Sequence, residues 1–169
     1  MSKIAFVGGK LVDGTGAAPV EDSLVLVDDK KIAYAGPRTE VPEGYEVRDI
    51  QGRTIMPGLI DTHLHFSGNL TDNDNDWVIE SVAQKQACAV KQSWDALSHG
   101  LTTVCEIGRN GIAIRDLVNM GIMEGPRIYA TGLGFCRVAG HGDCHQLPQE
   151  ISKNGHPWGD QVDGPWDLR

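Results

Sequence analysis

The residues best able to do chemistry stand together in the run Asp61-Thr62-His63-Leu64-His65. Side chains alternate along a β-strand, so Asp61, His63 and His65 share one face while Ile60, Thr62 and Leu64 take the other. Two imidazoles on one face can chelate one divalent metal ion, and neutral imidazole suits zinc. At the carboxyl end of a strand such a pair leaves the ion open toward substrate. A bare His-x-His also arises by chance, and surface or core histidines are its ordinary reading. Asp61 lies one layer deeper on the same face; it either orients a ligand histidine or caps backbone within the strand. Glu106 ends a second apolar strand, and the alternation Thr102, Val104, Glu106 turns it toward the same mouth. There its carboxylate serves the ligands or the substrate, or is simply structural.

These residues need elements to position them. The first 56 residues carry short β-rich pieces, Lys3 to Val7, Ser23 to Val27, Lys31 to Ala35, Glu46 to Ile50 and Thr54 to Met56, separated by Gly, Pro and Asp. They read as a small antiparallel sheet whose middle pair is a hairpin. From Leu59 the pattern becomes strand, helix, strand, helix, strand. Leu59 to His65, Thr102 to Ile107 and Arg127 to Thr131 are the strands. The helices run within Trp77 to His99 and over Ile112 to Met120, stopped by Gly100 and Gly121. Ala83, Ala87, Val90, Trp94 and Leu97 form the expected inward stripe of the first helix. Parallel strands joined by helices bury a sheet and present working residues at its carboxyl edge. The stretch from Gly132 to Pro165 is rich in Gly and Pro, lacks periodicity and reads as a long loop. Trp166 to Arg169 looks like the first turn of another helix.

Composition narrows the function classes. The chain has 169 residues, 40% of them hydrophobic, and a net charge of -8 with acidic residues dispersed along it. It offers no basic face, so nucleic acid is not an expected partner. No apolar run approaches the roughly 20 residues of a membrane span, so no membrane association is expected, and the chain reads as cytoplasmic. Cys88, Cys105, Cys136 and Cys144 have no CxxC spacing and read as reduced thiols. Asp143, Cys144 and His145 fit no common zinc spacing, and Asp72 to Asp76 lacks the glycine and terminal glutamate of a calcium loop. That acidic run reads instead as a loop leading into a helix N-cap. His99 reads as a helix-terminus residue, His156-Pro157 as loop, and Trp77 and Trp94 as core; Trp158 and Trp166 stay open.

The run Ile55 to His65 follows a β-rich segment containing Asp13-Gly14-Thr15-Gly16 and Ile32-Ala33-Tyr34-Ala35-Gly36. Together they resemble the amino-terminal part of the metal-dependent amidohydrolase superfamily. Gly100 to Val104, Glu124 to Ile128 and Ala139 to Asp143 resemble, in order, the branch of imidazolonepropionase-like enzymes and Xaa-Pro dipeptidases. The resemblance implies an α/β fold, a (β/α)8 barrel with an attached β-sandwich. Residues 1–56 would be part of the sandwich, and residues 57–169 the first three βα units of the barrel. It implies a centre of one or two divalent metals, usually zinc, that activates water to cleave a C–N bond. His63 and His65 would be ligands of the more buried ion. His141, flanked by Gly140 and Gly142, would contact substrate from a pocket-lining loop. The family's other ligands, a lysine, two histidines and an aspartate, come from later strands.

A typical barrel needs about 250 residues. The chain is therefore expected to act with a complementary chain or segment that carries the remaining strands, and to oligomerise through an open sheet edge and apolar helix faces. The expected substrate is a small amide, dipeptide or cyclic amide. The competing expectation is a non-catalytic subunit that uses the partial barrel as an interaction surface.

Overall fold

A computed structural model describes residues 2–69, 71, 79–143, 148, 150 and 159–167. The chain is an α/β protein that divides into two compact units, Met1–Pro57 and Gly58–Arg169.

The first unit is all β: β1 (Lys3–Val7), β2 (Lys10–Leu11), β3 (Ser23–Asp28), β4 (Lys31–Pro37), β5 (Glu46–Asp49) and β6 (Thr54–Ile55). A four-stranded sheet has the order β4-β3-β1-β5, and β2 pairs with β6. The hairpin is β3-β4, turned at Asp29, whose φ of 53° is a left-handed conformation that Asp tolerates. Alternation sets the core: Ala5 faces Leu26 and Val7 faces Leu24 across β1-β3, and all four are buried with Tyr34, Val41 and Tyr45 packed on them.

The sheet is mixed, not purely antiparallel. β5 runs parallel to β1, and β6 runs parallel to β2. The eight residues 38–45 carry the chain from β4 at one edge of the sheet to β5 at the other, a crossing that a tight turn could not make, and β5 thereby lies parallel to β1. The strand β2 falls where the sequence signals only a Gly-Gly turn.

Gly9 is where this unit is tightest. A Cβ there would lie 2.1 Å from Ile50 Cδ1 and 2.3 Å from the Arg53 carbonyl oxygen. The Gly9 carbonyl also accepts from the Ser23 amide at 3.0 Å and from the Ser23 hydroxyl at 2.8 Å. Gly9→Ala is therefore expected to cost about 1–3 kcal/mol through overpacking. Faster hydrogen exchange of the β1 and β3 amides would show it, and wild-type protection would refute the close approach.

The second unit reads β7 (Leu59–Leu64), α1 (Val82–Ser98), β8 (Leu101–Glu106), α2 (Gly111–Asn119), β9 (Arg127–Ala130), β10 (Gly134–Cys136) and β11 (Gly159–Gln161). β7, β8 and β9 form one parallel sheet in that order, so the βαβαβ register expected from the sequence is present. Phe66, Ala89, Ala96, Val104, Ile114 and Ile128 form the core between sheet and helices.

The stripe of α1 differs from the expected one. Ala89, Ser93 and Ala96 are its buried residues, whereas Ala83 and Ala87 are exposed and Trp94 is 54% exposed. Small side chains let this helix lie close to the sheet, and the larger residues flank the contact. The N-cap of α1 is Ser81: its hydroxyl accepts from the Gln84 amide, and the Gln84 side chain accepts from the Ser81 amide at 3.0 Å. This capping box was present in the sequence as Ser81-Val82-Ala83-Gln84. His99 caps the other end, its Nδ1 bonding the Asp95 carbonyl at 2.7 Å.

The region read as loop holds β10 and β11, which pair in parallel. Three-residue strands are too short for alternation to show. Cys88, Cys105 and Cys136 are free thiols, and burial pushes the Cys136 thiol up, with Asp143 adding to it. Asp167 donates its amide to the Gly164 carbonyl in a turn. Asp72 to Asp76, Trp77, Cys144, His145, His156, Pro157, Trp158, Leu168 and Arg169 lie outside the described residues. No helix is long and apolar enough to cross a membrane among the described residues.

Candidate metal centre

The site forms where β7 runs out beside the end of β8. Strict alternation does not hold throughout: Asp61 pairs with Val104 and Leu64 with Glu106, so β7 carries one residue more than β8 over this step. Such a bulge leaves an amide without its ladder partner. The Asp61 carboxylate takes up that role, accepting from the His63 amide at 3.0 Å. Of its two expected roles, the structure shows Asp61 in the backbone-capping one.

His63 and His65 come together. Their rings are perpendicular, with centroids 4.9 Å apart, and the two Nε2 atoms are 3.2 Å apart. His65 Nδ1 lies 2.6 Å from the Ile107 carbonyl oxygen. A carbonyl can only accept, so Nδ1 carries the proton, and in the neutral imidazole Nε2 then carries the lone pair that ligates a metal. Two nitrogens at about 2.0–2.1 Å from a tetrahedral ion stand roughly 3.3 Å apart. The pair therefore fits two vertices of a divalent centre. Among the described residues no third His, Cys, Asp or Glu joins them.

The backbone beyond His65 is held from both sides. Glu106 Oε1 accepts from the Phe66 amide at 3.2 Å, and Asn110 Nδ2 donates to the Phe66 carbonyl at 2.7 Å. The Phe66 ring itself is only 1% exposed. Glu106 is not in an open mouth: it is 1% exposed and wedged against the start of α2. A Cβ on Gly111 would lie 1.9 Å from its Oε2, and one on Gly108 2.8 Å from its Oε1, so the glycines make room for the carboxylate. Burial pushes this carboxyl above its usual range, opposed by the Phe66 amide, by His65 and by the Gly111 amide. A cavity of about 80 Å³ beside His65 is walled by Phe66, Lys85, Gln86, Glu106, Arg109 and Asn110. Burial lowers the Lys85 ammonium pKa; Glu80 opposes that shift and Arg109 adds to it.

His141 is exposed in the turn after β10, and among the described residues no hydrogen bond or ring contact ties it to the histidine pair. That turn is organised by Asp143, which accepts from the Ala139 amide at 2.8 Å and from Gln161 Nε2 at 2.7 Å. Sequence reasoning missed Asn110 and Gln86 altogether. An Asn before an apolar run looks like an ordinary helix cap, so no local signal marks it.

The histidine pair thus stands at the carboxyl edge of a parallel sheet. Residues 54–153 match the profile of the amidohydrolase family, and the chain belongs to that family. An ochratoxinase of Aspergillus niger is 32% identical over 147 residues, covering 83% of this chain and 30% of that protein. An imidazolonepropionase of Caulobacter sp. (strain K31) is 50% identical over 53 residues, covering 30% of this chain and 13% of that protein. The crystal structure of a Xaa-Pro dipeptidase with methionine in its active site superposes with a TM-score of 0.76 at 26% identity, over 99% of this chain and 42% of that one. The chain thus spans less than half the length of these relatives.

Proposed function

We propose that the chain supplies two ligands of a divalent metal centre in an enzyme that hydrolyses a C–N bond of an amide, a dipeptide or a cyclic amide. The observation that carries this is the pair of Nε2 atoms 3.2 Å apart, with His65 fixed through Nδ1. Membership of the amidohydrolase family supports it, as does likeness to an ochratoxinase and a Xaa-Pro dipeptidase. A bound divalent ion, zinc by preference for imidazole, supplies a Lewis acid that activates water and polarises a carbonyl.

In this reading His63 and His65 hold the ion, and the Ile107 carbonyl keeps the His65 proton on Nδ1. Asp61 fixes the His63 backbone, Glu106 fixes the segment after His65, and His141 meets substrate from its glycine-flanked turn. Residues 57–169 begin a (β/α)8 barrel, and residues 1–56 form part of a β-sandwich. A complementary chain or segment provides the further strands, with the lysine, histidine and aspartate ligands. The exposed Leu59 and Ile60 of β7 and Tyr129 of β9 suit such a neighbour. Free thiols at Cys88, Cys105 and Cys136 suit a cytoplasmic setting.

Elemental analysis of the protein as its gene encodes it is expected to find stoichiometric zinc, manganese or iron. Chelation is expected to abolish hydrolysis of N-acyl amino acids and Xaa-Pro dipeptides, and added metal to restore it. Metal-free protein without hydrolysis would overturn this reading in favour of a non-catalytic subunit.

A further inference from the structure

Asn110 stands at the N-cap of α2, yet its side chain makes no capping hydrogen bond. It is buried and turned toward the segment that follows His65, where Nδ2 donates to the Phe66 carbonyl at 2.7 Å and to the Ser67 carbonyl at 3.3 Å. Both carbonyls can only accept, so the amide nitrogen must face them and Oδ1 must point away. Oδ1 accepts from Gln86 Nε2 of α1 at 2.6 Å. The residue thus links α1, α2 and the chain leaving β7. Asp and Ser are equally good helix caps, but neither can donate to two carbonyls and accept from an amide at once.

We propose that Asn110, braced by Gln86, is a positioning residue for His65: it fixes the two peptides that follow Phe66, just beyond the imidazole, and so holds the direction in which Nε2 points. The inference rests on the metal-centre reading above and adds to it two residues outside the ligand pair. Residues that orient a metal ligand from outside typically alter affinity about 10–100-fold when replaced.

The test uses the protein as its gene encodes it, with Co²⁺ affinity read by competition against a chromogenic chelator and ligand geometry by the cobalt d–d absorption. Asn110→Ser keeps a good capping residue and removes the amide; it is expected to weaken affinity by about 10–100-fold and to alter the cobalt bands. Gln86→Ala is expected to act in the same direction by less, and the double variant to bind no more weakly than Asn110→Ser alone. Should Asn110→Ser fail to fold, Gln86→Ala, on the half-buried face of α1, decides by itself. Variants that lose thermal stability but bind Co²⁺ with unchanged affinity and spectrum would overturn the proposal and leave the centre intact. Unaltered protein that binds no Co²⁺ would overturn the centre itself, and the proposal with it.

Discussion

Replacing His63 and His65 together with alanine is expected to remove the bound metal and with it all measurable hydrolysis. The size of the effect follows from position. Residues that only orient a ligand cost about 10–100-fold in affinity, so losing a ligand outright is expected to exceed about 100-fold for each single variant. The two rings meet edge to face with their Nε2 atoms 3.2 Å apart, which leaves little room for a water to replace either nitrogen without shifting the other. His65 is the more constrained, because Ile107 anchors its ring through the carbonyl and anchors β7 by donating its own amide to the Leu64 carbonyl at 2.9 Å. His65→Gln is therefore expected to restore little, since a flexible amide has no such tether. His63 is exposed and His65 half-buried, and neither belongs to the core cluster, so folding should survive, and unchanged far-ultraviolet circular dichroism is the control. A double variant that kept full metal content would place the centre elsewhere.

The sequence made some of this legible and hid the rest, for separable reasons. Period-two alternation was enough to put His63 and His65 on one face, because a chelating pair needs only local geometry. The bulge between Asp61 and Leu64 was invisible, since it depends on how β8 lies alongside, and it gave Asp61 its task at the His63 amide. Periodicity located α1 but misjudged its inner face. Large apolar residues such as Trp94 were expected inward, yet close helix-sheet approach favours Ala89, Ser93 and Ala96. The parallel pairing of β5 with β1 depended on the path of residues 38–45, which no residue pattern encodes. Glu106 was legible as a strand-end carboxylate, but its burial became clear only with Gly108 and Gly111 packed against it. Asn110 was masked by its residue type, which belongs at a helix cap whether or not it caps.

Phe66 joins stability to the site most directly. Its ring belongs to the core cluster with Ala89, Ala96, Val104, Ile114 and Ile128, while its amide and carbonyl are held by Glu106 and Asn110. Phe66→Ala empties a buried position, and such truncations cost about 3–5 kcal/mol. That is a large share of a typical domain's stability of roughly 5–15 kcal/mol. The second consequence is local. Without the ring, residue 66 keeps its two backbone hydrogen bonds but loses the packing that sets its depth, so the imidazole can drift from Ile107. Phe66→Leu refills most of the space and is expected to lose much less on both counts. Urea denaturation should rank the proteins wild type, Phe66→Leu, Phe66→Ala, and chelator competition should rank their metal affinities in the same order. If stability falls in that order while affinity stays level, the core and the histidine pair are independent, and the position of His65 is set by its surrounding hydrogen bonds and not by the packing of Phe66.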